Sequence, residues 1–288
     1  MIDLLTGPFA EFAFMRRALA GCIALSLSAA PVGVFLTLRR MSLMSEAMSH
    51  AILPGAAVGF LIAGLSLPAM TLGGLAAGLA VAFLSSAVSR ATVLREDASL
   101  GALYLLALAS GVLMISARGT SVDLLHILFG TVLALDDSAL LLLGGMAAAT
   151  LLGLGLIYRP LVLECVDPLF LRSVSRASGP VHYAFVGLVV LNLVGGFAAL
   201  GTLLAVGLML LPAVSARFWA DDISGLIPVA MAIGLVASVA GLLVSYYADL
   251  PSGPAIVLTA GALYLASMLL GARGGLFWRL FPARHLEA

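Results

Sequence analysis

Nine stretches of this chain stay apolar for about the 20 residues that a helix needs to cross roughly 30 Å of hydrocarbon. They run near 14–38, 43–65, 68–89, 98–117, 138–158, 181–199, 201–217, 223–247 and 252–272. In lipid each backbone polar group must be satisfied within the chain, and successive single apolar runs of this length do that as α-helices. The pattern predicts an all-α fold, a polytopic transmembrane helical bundle of about nine spans in which residues 1–288 form one domain. Composition agrees: 62% of residues are hydrophobic and 10% charged, against roughly 45–50% and 25% in soluble domains. A shorter apolar piece between Ser121 and Leu135 cannot span comfortably and reads as a re-entrant or interfacial helix.

Arginine placement predicts the orientation. With the N-terminus outside, one side of the membrane holds Arg39, Arg40, Arg90, Arg95, Arg159, Arg172, Arg176, Arg217, Arg273, Arg279 and Arg284. The other holds only Arg16, Arg17 and Arg118. The positive-inside bias makes the first group cytoplasmic, together with the C-terminus. Asp3 and Glu11 precede the first apolar run, which has no basic leader, so a retained first span is expected rather than a cleaved signal peptide.

The 14 basic residues are all arginines and balance 14 acidic ones. Zero formal charge gives no support to nucleic-acid binding. The absence of lysine excludes an ordinary Walker A phosphate loop, whose lysine reaches the nucleotide phosphates. Cys22 falls in a span and Cys165 in an expected loop, so neither a disulfide framework nor a thiolate metal motif follows. No HExxH, GxSxG or paired-carboxylate constellation supports an intramembrane enzyme.

The residues that stand out are Glu46 and His50. Their i, i+4 spacing puts both on one helix face, and an ionisable side chain at mid-membrane costs at least about 2.5 kcal/mol on insertion scales. Such residues face a partner, a cavity or an ion path. Carboxylate and imidazole suit a divalent transition metal, while the plainer reading is a structural hydrogen-bonded pair. Two donors make an incomplete site, which a two-fold partner would double. Asp123 and His126 form an i, i+3 pair on the outer side, either ordinary loop residues or an outer vestibule that attracts a cation. Asp249 lies in Tyr246-Tyr247-Ala248-Asp249-Leu250-Pro251, as a turn residue or a third outer-mouth residue. Asn192, inside a span, reads as interhelical glue. Ala47, Ala51, Gly55, Gly59 and Ala63, and separately Gly74 and Gly78, are small-residue rows that let helices approach closely.

The longest polar interruption is Arg159 through Pro180. Within it Asp167-Pro168 reads as an N-cap followed by proline at the first helical position. The run to Arg176 predicts a short amphipathic helix, lying on headgroups or docking a cytoplasmic partner.

Leu38-Arg39-Arg40-Met41-Ser42-Leu43-Met44-Ser45-Glu46-Ala47-Met48-Ser49-His50-Ala51-Ile52-Leu53-Pro54-Gly55 resembles the signature of the metal-type ABC transporter permeases, which import zinc, manganese or iron(II). Val166-Asp167-Pro168-Leu169-Phe170, Gly201-Thr202-Leu203-Leu204 through Leu211-Pro212-Ala213, and Tyr246 through Pro254 are similar to further blocks of that family, in order, from about residue 15 to 272. The resemblance implies a permease homodimer, two cytoplasmic ATPase subunits and an extracytoplasmic metal-binding protein, in a bacterial cytoplasmic membrane. It makes 164–177 a cytoplasmic coupling helix, with Glu164, Asp167, Phe170, Arg172 and Arg176 as ATPase-coupling residues. It implies that Glu46 and His50 line the metal path, with Glu where the family usually has Asp. No permanently bound cofactor is expected. The transported metal would be zinc or manganese, with zinc favoured on the donor set. The rivals are an ion-coupled secondary transporter, using Glu46 as its ion site, and an ABC permease for a metal chelate.

Overall fold

Where the sequence turns apolar the chain becomes helical, and it leaves the helix at proline, glycine or a polar cap. The computed structural model describes residues 2–64, 66–116, 132–175 and 177–277. Asp123, His126, Arg176 and the predicted 121–135 helix up to residue 131 lie outside the described residues, as does the side chain of Arg172. A short α1 (Ile2–Glu11) leads into α2 (Ala13–Leu38), followed by α3 (Ser42–Ala51), α4 (Leu53–Ala63), α5 (Leu67–Ala91) and α6 (Glu96–Ser116). Beyond a single 3-10 turn at Val132–Ala134 come α7 (Asp137–Val166), α8 (Pro168–Val174), α9 (Ser178–Leu200), α10 (Thr202–Ala216), α11 (Ile223–Ala248) and α12 (Ser252–Leu270). Among the described residues there is no strand. Eight of the described segments are long and apolar enough to cross a membrane, and α10, at 15 residues, is a shorter apolar helix.

The core is built around α2, which packs against α7, α9, α10 and α11. Its Cys22, Ala29, Ala30, Val32, Phe35 and Leu36 are all buried, and Phe35 meets Tyr158 and Phe185 edge-on. Close approach replaces bulk elsewhere. A methyl group on Gly55 would strike the Gly73 carbonyl, and one on Gly59 would strike the Ala69 carbonyl, so the small-residue row seats α4 directly on α5. Gly74 and Gly78 do the same for Ile52 and Val190.

The second span is broken rather than continuous. Helix α3 ends at Ala51 and α4 begins at Leu53, with Pro54 in its first turn. Pro54 has no N–H to offer the His50 carbonyl, so the helix is interrupted directly after His50. Between α9 and α10 only Gly201 intervenes, at φ 96° and ψ 157°. Side chains rarely tolerate that conformation, and here it folds the chain back so that Gly196 lies against Ala205.

One expected boundary was misplaced. The polar interruption does not begin at Arg159: α7 continues through Pro160 to Val166, and Cys165 sits in its last turn instead of a loop. Leu161 is fully buried there and Glu164 finds a partner in Arg39. The apparent loop signals are therefore absorbed by packing. The separate helix starts at Pro168, with Asp167 as the predicted N-cap, its carboxylate accepting the Phe170 N–H at 2.9 Å. At the other end of α7, Asp136 caps in the same way. The Ala139 N–H and the Ser138 hydroxyl hold its carboxyl below the usual range.

Candidate metal pathway and an adjoining charged cluster

Helix α3 has two faces. Met44, Ser45, Ala47, Met48, Ser49 and Ala51 are buried, against a surface made by α6, α9 and α10. Leu43, Glu46 and His50 form the opposite stripe, with Leu43 78% exposed. The Glu46 and His50 side chains are 62% and 28% exposed, and His50 Nε2 lies 3.3 Å from Glu46 Oε1. Tyr104 of α6 stacks beside the imidazole, ring centroids 6.3 Å apart. The spacing therefore does bring the two side chains together, one turn apart, on a face that the described residues leave partly open. A carboxylate oxygen and an imidazole nitrogen that close can share a proton or bind a cation between them. Among the described residues no group of three or more His, Cys, Asp or Glu side chains converges on a metal-sized site, so the pair offers two donors and no more.

The other expected residues scatter. Asp249 takes φ 53° as the left-handed residue that ends α11, and the Leu250 N–H bonds back to the Ser245 carbonyl. It is a helix-terminating turn residue with an exposed side chain. Glu164 is 6% exposed, belongs to α7 and pairs with Arg39 inside the bundle. Within the expected coupling segment the separate helix is Pro168–Val174. Phe170, at 52% exposed, and Asp167 remain on its outside.

A charged cluster that the sequence did not announce lies next to the α2–α3 elbow. His182 of α9 is 4% exposed. The Arg39 guanidinium donates from Nη2 to His182 Nδ1 at 2.6 Å and lies 3.5 Å from Glu164 Oε1. Arginine has only donors, so Nδ1 accepts and Nε2 carries the ring hydrogen. That nitrogen sits 3.1 Å from Glu96 Oε1 and 3.0 Å from Ser86 Oγ. The Ser86 hydroxyl in turn donates to Glu96 at 2.9 Å. Arg39 also lies over the Phe185 ring, 5.3 Å from its centroid. Five helices, α2, α5, α6, α7 and α9, thus meet at one end of the bundle through polar contacts. The cluster opens on a cavity of about 1070 Å³ lined also by Arg40, Arg90, Arg95 and Asp97. No sequence motif marks His182, because its polar contacts come from residues 86 or more positions away. The available signal was charge gathered at the arginine-rich ends of several spans.

Residues 11–271 match the ABC 3 transport family. The chain is 32% identical over 263 residues to the manganese import system permease protein ScaB of Streptococcus parasanguinis, covering 91% of this chain and 92% of that one. It is 28% identical to the chelated iron transport system membrane protein YfeD of Yersinia pestis, covering 93% and 89%. In three dimensions it superposes on a chain of PsaBC from Streptococcus pneumoniae, solved in complex with Fab, with a TM-score of 0.84 and 31% identity, covering 98% and 100%. By residues 11–271 and by this likeness along its length, the chain belongs to the ABC 3 transport family, as a multi-pass permease of the bacterial cell membrane.

Proposed function

We propose that this protein is the membrane-spanning subunit of an ATP-driven importer for a divalent transition metal, and that the metal is manganese. The observation that carries the reading is the Glu46–His50 pair on the open stripe of α3, in a chain whose named relatives include manganese import permeases. The zinc preference expected from the donor set finds no support in those relatives. Manganese(II) stands lowest in the Irving–Williams order, so an oxygen and a nitrogen donor would hold it weakly, as suits an ion that must leave again. ATP would be hydrolysed on a separate chain, in keeping with the absence of lysine here. A metal-binding protein would deliver the ion from outside. A second copy of the permease, facing the same stripe, would raise the donors from two to four.

In this mechanism Glu46 supplies charge and an oxygen ligand, and His50 an imidazole nitrogen whose orientation Tyr104 restricts. The ion exchanges water for these donors in passing. Import requires the two conformations to differ in affinity, since equal affinity would shift nothing.

The test is manganese uptake by the complete transporter in proteoliposomes, with zinc as competitor. Glu46→Gln and His50→Ala should each lower uptake by roughly tenfold to a hundredfold, the range over which weakened ligand sets lose metal, with assembly intact. Uptake unchanged in both variants would remove the pair from the path. Uptake that needs a chelator would favour the chelated-iron reading that the YfeD likeness suggests. Uptake that follows a proton gradient without ATP would point to secondary transport.

A further inference from the structure

The Arg39 cluster joins two places that the metal-import reading keeps apart. Glu164 lies three residues before Asp167, the N-cap of α8, so the α7–α8 corner carries it. Arg39 is the residue that ends α2, and three residues later α3 begins, bearing Glu46 and His50. The elbow between them is tightly specified. The Arg40 N–H bonds to the Thr37 carbonyl and the Met41 N–H to the Leu36 carbonyl, with Arg40 in the left-handed region at φ 57°. This is the Schellman arrangement, with arginine where glycine is usual. An elbow fixed by backbone bonds moves as a unit, and the Arg39 side chain is its connection to α7, through Glu164, and to α9, through His182.

The cluster is also incompletely satisfied. Among the described residues, Arg39 Nη1, Glu164 Oε2 and Ser178 Oγ are buried without a hydrogen-bond partner, and all three residues line the adjoining cavity. Buried polar groups normally find partners. A guanidinium, a carboxylate and a hydroxyl with unused capacity can exchange contacts when the elements carrying them shift.

We propose that Arg39 is a positioning residue for transport: a displacement of α8 is passed through Glu164 to Arg39 and His182, and so to the elbow that aims Glu46 and His50. The proposal rests on the reading of α8 as the contact for the ATPase chains. Neither Arg39 nor His182 touches that contact or the metal pair. Their loss should break the link while leaving both ends in place.

The experiment uses the full transporter with its ATPase subunits in proteoliposomes, measuring manganese uptake and ATP hydrolysis on the same vesicles. Arg39→Lys keeps the charge but replaces the planar guanidinium, whose Nη2 meets both His182 Nδ1 and Glu164 Oε1, with a more compact ammonium, and His182→Asn removes the Nε2 bridge to Glu96. Uptake per ATP hydrolysed should fall roughly threefold to thirtyfold, the span of coupling changes seen on altering residues between sites. Hydrolysis and the manganese KM should stay near wild type. Because the readout is a ratio, it does not depend on how much complex assembles. Ser86→Ala, which deletes one hydroxyl from the cluster, provides a milder variant in the same direction. A wild-type ratio in all three variants, or parallel loss of uptake and hydrolysis, would make the cluster structural only and overturn the proposal. A wild-type transporter that shows no ATP-dependent manganese uptake would instead overturn the import reading.

Discussion

Asn192 donates from its amide to the Thr150 hydroxyl at 2.7 Å and to the Leu188 carbonyl at 3.1 Å, tying α9 to α7 where both side chains are buried. Replacing it with alanine leaves Thr150 without that donor. The expected loss is about 0.6 kcal/mol and at most about 1.7, the range measured for hydrogen bonds between membrane helices. Unfolding of the purified protein in mixed detergent micelles would measure it, and Thr150→Val should cost a similar amount. The residue type was legible from the sequence, since a lone amide in an apolar span needs a partner. The partner was not, because Thr150 lies 42 positions away and only the packing of α9 on α7 selects it. The same contrast separates Glu46 and His50, whose spacing declares their contact, from His182, whose hydrogen-bond and ion-pair partners are all remote.

At the level of elements, the corner between α9 and α10 depends on one residue. Gly201 occupies φ 96° and ψ 157°, a region reserved for glycine, where other residues pay about 1–3 kcal/mol. Its N–H also bonds to the Gly196 carbonyl at 3.0 Å and so closes α9. Gly201→Ala should therefore lower stability by that amount. Thermal unfolding would register it, while the far-ultraviolet helix signal at low temperature stays unchanged. Helix positions could be read largely from apolar length, and Asp167 and Pro168 marked the start of α8 correctly. The end of α7 could not be read in the same way. Arg159, Pro160 and Glu164 look like a loop until Leu161 is seen to be buried and Glu164 to be neutralised across the bundle. The break after His50 had its cue in Pro54, but hydropathy alone runs through it.

For the whole molecule, the ends of the helices sort by charge. Arg39, Glu96, Glu164 and His182 gather at one end, and Arg17 pairs with Asp137 at 2.9 Å at the opposite one. The positive-inside rule predicts that the first end is cytoplasmic. Single cysteines tested in a background lacking Cys22 and Cys165 should confirm the orientation. One at Val93, fully exposed between α5 and α6, should react with a membrane-impermeant maleimide only in inside-out vesicles. One at Leu250, exposed after α11, should react only in intact cells. The reverse labelling would invert the topology. Helix α7 has 30 residues, about 45 Å at 1.5 Å per residue, and still roughly 42 Å along the normal at a tilt of about 20°. Hydrocarbon accounts for about 30 Å of that, and the headgroup layer for about 5–8 Å on either side. A rod of about 42 Å thus spans the hydrocarbon and both headgroup layers with little to spare, so α8 begins near the level of the membrane surface. At that level α8, with Phe170 exposed, is within reach of both the headgroups and a partner protein, the two roles open to it.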